Sequence, residues 1–278
     1  PNDPADGGVG ALQRAYIYPT MRRGGRMVYA LDVTDPNDPD LLWRAGCEDE
    51  GTTNCGPGSD FDNIGQTWST PTAGYVAEYP GGGSAPSPVV IFGGGFDECL
   101  NEDQATYPDP SVCSASEGKG VYVVDGVTGA FIKKFDTDAP VITDVAATDI
   151  DTDGVFEFVY VADVKGNLYR IRFADIVVNL DGLTTIPGGA IVHRTEDGAS
   201  GTKPWIIEKI AAMSGTQKRF YNAPTASPLP IFGTFGVTIG SGDRERPLDT
   251  NYPYEENVQN RFYALLDAPW TDYEAERQ

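Results

Sequence analysis

The chain repeats one local phrase, and that repetition restricts the fold more than any other feature. From Met27 an apolar run (MVYALD) ends in Asp32, a turn rich in Pro and Asp spans Thr34 to Asp40, and Leu41-Leu42-Trp43-Arg44 leads back. Gly120 to Asp125 (GVYVVD), the turn Gly126-Val127-Thr128-Gly129 and the return run Ala130 to Phe135 follow the same scheme. Asn260 to Asp267 (NRFYALLD) returns to its opening words. Runs of β-branched and aromatic residues bounded by Gly, Pro, Asn and Asp read as strands, and two of them across a polar turn read as a hairpin. Further strands are predicted over 66–76, 88–95, 142–148, 155–162, 168–173, 206–212, 219–229 and 231–241. Long amphipathic helical periodicity is nearly absent, so the class is all-β. Recurring small antiparallel sheets with similar hairpins predict the blades of a β-propeller, about three to four of them. A β-sandwich, the alternative, leaves the recurring hairpin unexplained. The expected fold is a β-propeller, complete or incomplete within these residues, of four-stranded antiparallel blades with long disulfide-braced loops. It occupies residues 16–278 as a single domain behind a polar arm or linker at 1–15.

One of these hairpins is preceded by a stretch with a chemistry of its own. Asp149, Asp151 and Asp153 alternate with non-ligands, Gly154 stands where the backbone must turn sharply, and Glu157 closes the series. Calcium takes six to eight oxygens at about 2.3–2.6 Å, and carboxylates at loop positions 1, 3 and 5, a carbonyl at 7 and an acidic group at 9 wrap such an ion. The predicted ligands are therefore Asp149, Asp151, Asp153, Val155 by its main-chain carbonyl, and Glu157. Position 12, where a helix-flanked calcium hand supplies a bidentate Glu, is Tyr160. This is the loop without the hand, and Glu157 closes it directly or through water. The competing reading is an acidic turn that holds no ion, against which stands the mutual repulsion of crowded carboxylates without a counter-ion.

Charge and cysteine usage bound the environment. The 20 Lys and Arg face 41 Asp and Glu for a net charge of −21, a field that disfavours nucleic acid and anionic membrane surfaces and attracts divalent cations. No apolar run is long enough to insert in a membrane, and no charged-then-apolar leader opens the chain. A start at Pro1 rather than Met is expected of a processed chain or an excerpt of a longer one. The four cysteines fall into two local pairs, Cys47 with Cys55 and Cys99 with Cys113, each inside a polar loop. Four cysteines allow three pairings. Local disulfides are favoured because each would pin one long loop, closing roughly 10–15 residues for about 2–4 kcal/mol. The rival is a zinc site, for which the C-x-x-C spacing is missing and the single His193 is remote. Disulfides place the protein outside the reducing cytosol.

Several stretches resemble, in order and across nearly the whole chain, the carboxy-terminal β-propeller domain of the PilY-type type IV pilus biogenesis factors and tip adhesins. They are Arg23–Arg44 (RGGRMVYALDVTDPNDPDLLWR), Trp68–Pro71 (WSTP), Val89–Gly95 (VVIFGGG), Gly120–Gly129 (GVYVVDGVTG), Asp149–Phe173 and Asn222–Thr225 (NAPT). The resemblance implies a modified propeller with a calcium loop of this kind. It also implies an extracellular place at the outer cell surface or pilus tip, reached through the periplasm. Calcium would there be linked to pilus extension, retraction, twitching and adhesion. It implies minor pilins or a pilus tip complex as partners, with host or surface ligands beyond them. Glu157 stands where the family usually has Asp, and its extra methylene lengthens the reach. The large amino-terminal adhesive region of a full family member is missing from these residues.

Three classes of function compete. Propellers also house enzymes, including quinone-cofactor oxidoreductases, but the adjacent Cys-Cys pair of those dehydrogenases is absent. His193 reads as a surface residue rather than a general base. Carboxylate pairs such as Asp97/Glu98, Glu102/Asp103 and Glu255/Glu256 read as solvated loop charge, and Ser69 and Ser214 lack a nucleophile-elbow context. The expectation is no enzyme. A calcium-stiffened adhesive or assembly module is the second class, with Tyr107, Tyr252, Tyr254, Trp270 and Tyr273 available as loop contacts. A purely structural propeller scaffold is the third.

Overall fold

The computed structural model describes residues 14–47, 59–79, 87–101, 117–178, 190–198, 202–213, 220–229, 234–242 and 260–272. Among these residues seventeen strands follow one another. They are β1 (Tyr16–Ile17), β2 (Arg26–Asp32), β3 (Asp40–Cys47), β4 (Thr72–Gly74), β5 (Val89–Gly93), β6 (Lys119–Asp125), β7 (Phe131–Pro140), β8 (Ala146–Thr148) and β9 (Phe158–Ala162). The series continues with β10 (Asn167–Arg172), β11 (Ala174–Val178), β12 (Ala190–His193), β13 (Ile206–Ala212), β14 (Thr225–Pro228), β15 (Phe235–Gly240), β16 (Phe262–Asp267) and β17 (Trp270–Asp272). Among the described residues they make five small sheets, ordered β1-β2-β3, β4-β5-β6-β7, β8-β9-β10-β13, β12-β11-β17 and β14-β15-β16. Two are the four-stranded blades expected, and three have three strands.

The sheets pack face to face. Alternate residues of β5 and β6 enter different cores: Val89, Ile91, Val121 and Val123 meet Val159, Val161, Tyr169 and Ile171 on one side. Val90, Phe92, Tyr122 and Val124 meet Val28, Ala30, Trp43 and Ala45 on the other. The far face of β9, carrying Phe158 and Tyr160, packs against Phe235, Val237 and Ile239 of β15. Strands covered on both faces are written as continuous apolar runs, which is why VVIF at 89–92 and FVYVA at 158–162 lack polar alternation.

The recurring Asp at the end of a hairpin strand is what shapes the turn. Asp125 accepts from the amides of Val127 and Thr128 and the Thr128 hydroxyl, and its other oxygen accepts from Tyr79 Oη. Asp163, fully buried, accepts from the amides of Lys165 and Asn167, from Asn167 Nδ2 at 2.7 Å and from Tyr169 Oη at 2.9 Å. Burial outweighs these donors and holds its carboxyl above the ordinary range. The turn after Asp125 also serves the next sheet. Gly126 O accepts from Trp43 Nε1, and Gly129, at φ 72°, lies so close to the indole that a Cβ would approach Trp43 Cδ2 to 2.6 Å.

Several expectations are corrected. The strands read over 66–76 and 142–148 shrink to the three residues of β4 and of β8; ahead of β4, the amides of Gln66 and Thr67 donate to Phe96 O and Gly25 O instead of the β5 ladder. β11, β12 and β17 had no counterpart in the sequence reading, and β11 pairs with β17 in parallel. His193 is a strand residue of β12, half-buried rather than on the surface, with Nδ1 enclosed. Asp97 is not solvated charge: it is buried and accepts from the amides of Cys99 and Glu117. Ser214, Glu102, Asp103, Glu255, Glu256, Tyr107, Tyr252, Tyr254 and Tyr273, with most of the arm at 1–15, lie outside the described residues. Ala15 is already tied to the first sheet through Val33 and Thr34.

Replacing Asp163 strands four donors in a closed interior. Asp163→Ala is expected to lower the unfolding free energy by about 3 kcal/mol, since unpaired buried donors cost roughly 1–3 kcal/mol each before relaxation. A urea titration of both proteins checks it, with an unchanged slope and a shifted midpoint expected.

Candidate metal centre

The acidic stretch becomes a loop because β8 ends at Thr148 and β9 begins only at Phe158, so nine residues must leave and re-enter one antiparallel pair. The reversal is made by Thr152 at φ 63° and Gly154 at φ 92°. Thr152 is one of few non-glycine residues held in the left-handed region, a conformation costing on the order of 1 kcal/mol. Nothing lies within 4 Å of a Cβ built on Gly154, so glycine stands there for its backbone angle and not for space.

Each carboxylate is aimed by the loop's own amides. Asp149 Oδ1 accepts from the Thr152 amide at 2.7 Å and Oδ2 from the Gly154 amide at 2.8 Å. Asp153 Oδ1 accepts from the Val155 amide at 2.9 Å, and Asp151 Oδ1 from the Asp153 amide at 3.4 Å. Glu157 reaches back from the strand entrance, where its Oε2 accepts from the Ile150 amide at 2.8 Å. The result brings one oxygen from each of Asp149, Asp151, Asp153 and Glu157 within 4.8 Å of one another. Among the described residues it is the one group of three or more His, Cys, Asp or Glu so gathered. Val155 sits at the loop's exit, bridged in parallel to Tyr75 of the neighbouring sheet.

Glu157 is the unusual member. Its side chain is fully buried while Asp151 and Asp153 are exposed, and Oε1 is enclosed with no hydrogen-bond partner. Burial, aided by the three aspartates and opposed by the Ile150 amide, pushes its carboxyl up to about 7. A buried carboxylate with one donorless oxygen, gathered with three further carboxylates, suits an oxygen-seeking cation. A hard divalent ion fits this donor set, which holds no nitrogen or sulfur.

The disulfide expectation is only half visible. Cys47 ends β3 in the core, Cys99 lies in a 3-10 turn at Glu98–Asn101, and neither is a free thiol. Cys55 and Cys113 lie outside the described residues. No helix among the described residues is long and apolar enough to cross a membrane.

Small antiparallel sheets packed face to face, with an acidic oxygen-donor loop at the mouth of a blade strand, define a β-propeller module with a candidate cation site. The chain belongs to the PilY1 beta-propeller domain family, whose model matches residues 9–252. It is 28% identical over 182 residues to the type IV pilus biogenesis factor PilY1 of Pseudomonas aeruginosa strain PAO1, a match covering 64% of this chain and 13% of that protein. A PilY1 homolog from Xylella fastidiosa is 26% identical over 169 residues, covering 54% of this chain and 9% of the relative. The chain thus spans a small part of the relatives' length. The crystal structure of the P. aeruginosa PilY1 C-terminal domain superposes with a TM-score of 0.59 at 20% identity, over 92% of this chain and 46% of that one, a likeness of fold.

The position of Glu157 predicts a pH dependence. An acid with a folded-state pKa above its unfolded value stabilises the fold fully below about 4.5, and the contribution is lost as pH rises through about 7. In chelator, the unfolding free energy obtained from urea titrations is expected to fall between pH 5 and 8 by on the order of 2 kcal/mol, after allowance for solvent screening. Glu157→Gln is expected to flatten that slope and to exceed the parent protein in stability at pH 8.

Proposed function

We propose that this chain is a calcium-binding, cell-surface module of a type IV pilus system, acting in pilus assembly, retraction control and adhesion. The observation that carries the calcium part is the gathering of Asp149, Asp151 and Asp153 with the fully buried Glu157, one of whose oxygens has no donor. The pilus part rests on family membership and on relatives named as type IV pilus biogenesis factors. When bound, calcium supplies the positive charge that four converging carboxylates require. Asp149, Asp151, Asp153 and Glu157 give side-chain oxygens and Val155 its carbonyl, while the amides of Ile150, Thr152 and Gly154 keep those oxygens aimed. Minor pilins or a pilus tip complex are the proposed partners, outside the cell, with Cys47–Cys55 and Cys99–Cys113 as disulfides that brace the loops.

Occupancy stabilises the folded state by mass action, about 2.7 kcal/mol at a hundredfold excess over Kd. Asp151→Ala is expected to abolish the calcium-dependent rise in melting temperature with the metal-free fold retained; an unchanged calcium response would remove the site assignment. In the native host, Asp153→Ala is expected to behave like calcium starvation in surface piliation and twitching. Asp153→Lys, a fixed cation in the loop, is expected to recover part of the calcium-replete behaviour. Host behaviour identical to wild type in both variants would leave the ion a structural role only. Non-reducing peptide mapping is expected to yield Cys47–Cys55 and Cys99–Cys113 peptides; free thiols or crossed pairs would refute the local scheme.

A further inference from the structure

The loop does not stand alone on its own sheet. Val155 forms a parallel bridge with Tyr75, and the Phe156 amide donates to Tyr75 O at 2.8 Å. Tyr75 directly follows β4, in the adjacent blade. At that crossing the Phe156 ring lies against Gly74: a Cβ built there would sit 2.3 Å from both Cε2 and Cζ of the ring and 3.2 Å from Cδ2. Gly74 needs no left-handed backbone, because its φ is not positive. It pairs with Val89 as an ordinary strand residue. Glycine is therefore required for the room it leaves to the ring.

We infer that Gly74 is a positioning residue for the cation loop, acting through Phe156; this rests on the calcium reading of that loop. The ring cannot retreat freely, since Phe156 packs against the core cluster that contains Val76, Val89 and Val159. Nor can the next residue follow it. The Glu157 amide is held by Thr148 O at 3.1 Å, and its carbonyl accepts from the Phe173 amide at 2.9 Å. A side chain at 74 thus displaces the segment on its loop side, at Val155 and Gly154, where a carbonyl ligand and the loop's reversal lie. The docked ring is what sets the Val155 carbonyl relative to the carboxylate of Glu157, and it ties the site to the neighbouring blade.

The test is calcium titration by calorimetry of the whole chain, with hydrogen exchange of the Phe156 amide in chelator as a readout independent of calcium. Gly74→Ala is expected to weaken calcium binding by roughly tenfold, within the range of coupling between linked sites, and to speed exchange at Phe156. Gly74→Ala combined with Phe156→Leu, which removes the clashing ring atoms, is expected to regain most of the affinity. General damage to the strand would not be rescued this way. Gly240→Ala, a strand glycine with nothing within 4 Å of its Cβ position, is the control and is expected to bind like the parent. A parent that binds calcium beside a Gly74→Ala variant of equal affinity would overturn the inference and leave the calcium site standing. A parent that shows no calcium response would overturn the site and this inference together.

Discussion

The structure depends on strands that are buried on both faces. β5, β6, β9 and β10 have no solvent side: every residue of β5, β9 and β10 is buried, and all of β6 except Lys119. Each of these sheets is therefore stable only while both neighbours cover it, much as stacked repeats hold one another. Fully burying a Val, Ile or Phe side chain is worth about 1.5–3 kcal/mol, and Val89 with Ile91 and Val90 with Phe92 divide that gain between two interfaces. A change on one face of a blade is felt at the next. The acidic loop enters β9, a strand whose two faces belong to two different seams.

Where apolar packing gives out around β10, buried charges are gathered in groups. Arg170 of β10 donates to Asp267 of β16 and to Glu208 of β13, while Tyr160 Oη donates to Asp267 at 2.7 Å. One guanidinium thus joins the four-stranded blade to its neighbour, and the acidic partners raise its pKa against the effect of burial. Nearby, Asp175 Oδ1 accepts from Arg172 at 2.6 Å and from Arg194 at 2.7 Å. Such pairs add little net stability once desolvation is charged against them, but breaking one leaves an uncompensated buried ion. Their contribution here is register between blades, since a slip by one residue would turn Arg170 away from both partners.

What the sequence made legible was local. The hairpins 26–47 and 119–140 were readable because apolar runs and turn residues lie side by side in the chain, and β13 was read to the residue for the same reason. β11 and β17 were not readable: their parallel pairing joins Ile176 to Trp270, with no turn to announce it. Arg170, Arg172 and Arg194 look like surface residues in a string of letters, and only the fold supplies the carboxylates that bury them. In the acidic loop, Asp149, Asp151, Asp153 and Gly154 declare themselves through spacing. That Glu157 is fully buried and Asp151 exposed depends on what Phe156 and Phe158 pack against, which spacing does not encode.

That asymmetry decides what an ion can do in this loop. Three aspartates are oriented by amides within the loop, so their arrangement is largely set by the chain, and ordering them adds little to the cost of binding. Glu157 differs, since burial and the aspartates around it both favour a proton on its carboxyl, against the Ile150 amide. Loss of that proton places charge at the root of β9, next to Phe156 and not at the exposed tip. Asp151 and Asp153 are exposed to solvent at the loop's tip. A change at Glu157 meets the seam with β4 directly, through Val155 and Tyr75. The buried Glu157, rather than the aspartates that spacing makes conspicuous, is therefore the member of the cluster that adjoins the packed core.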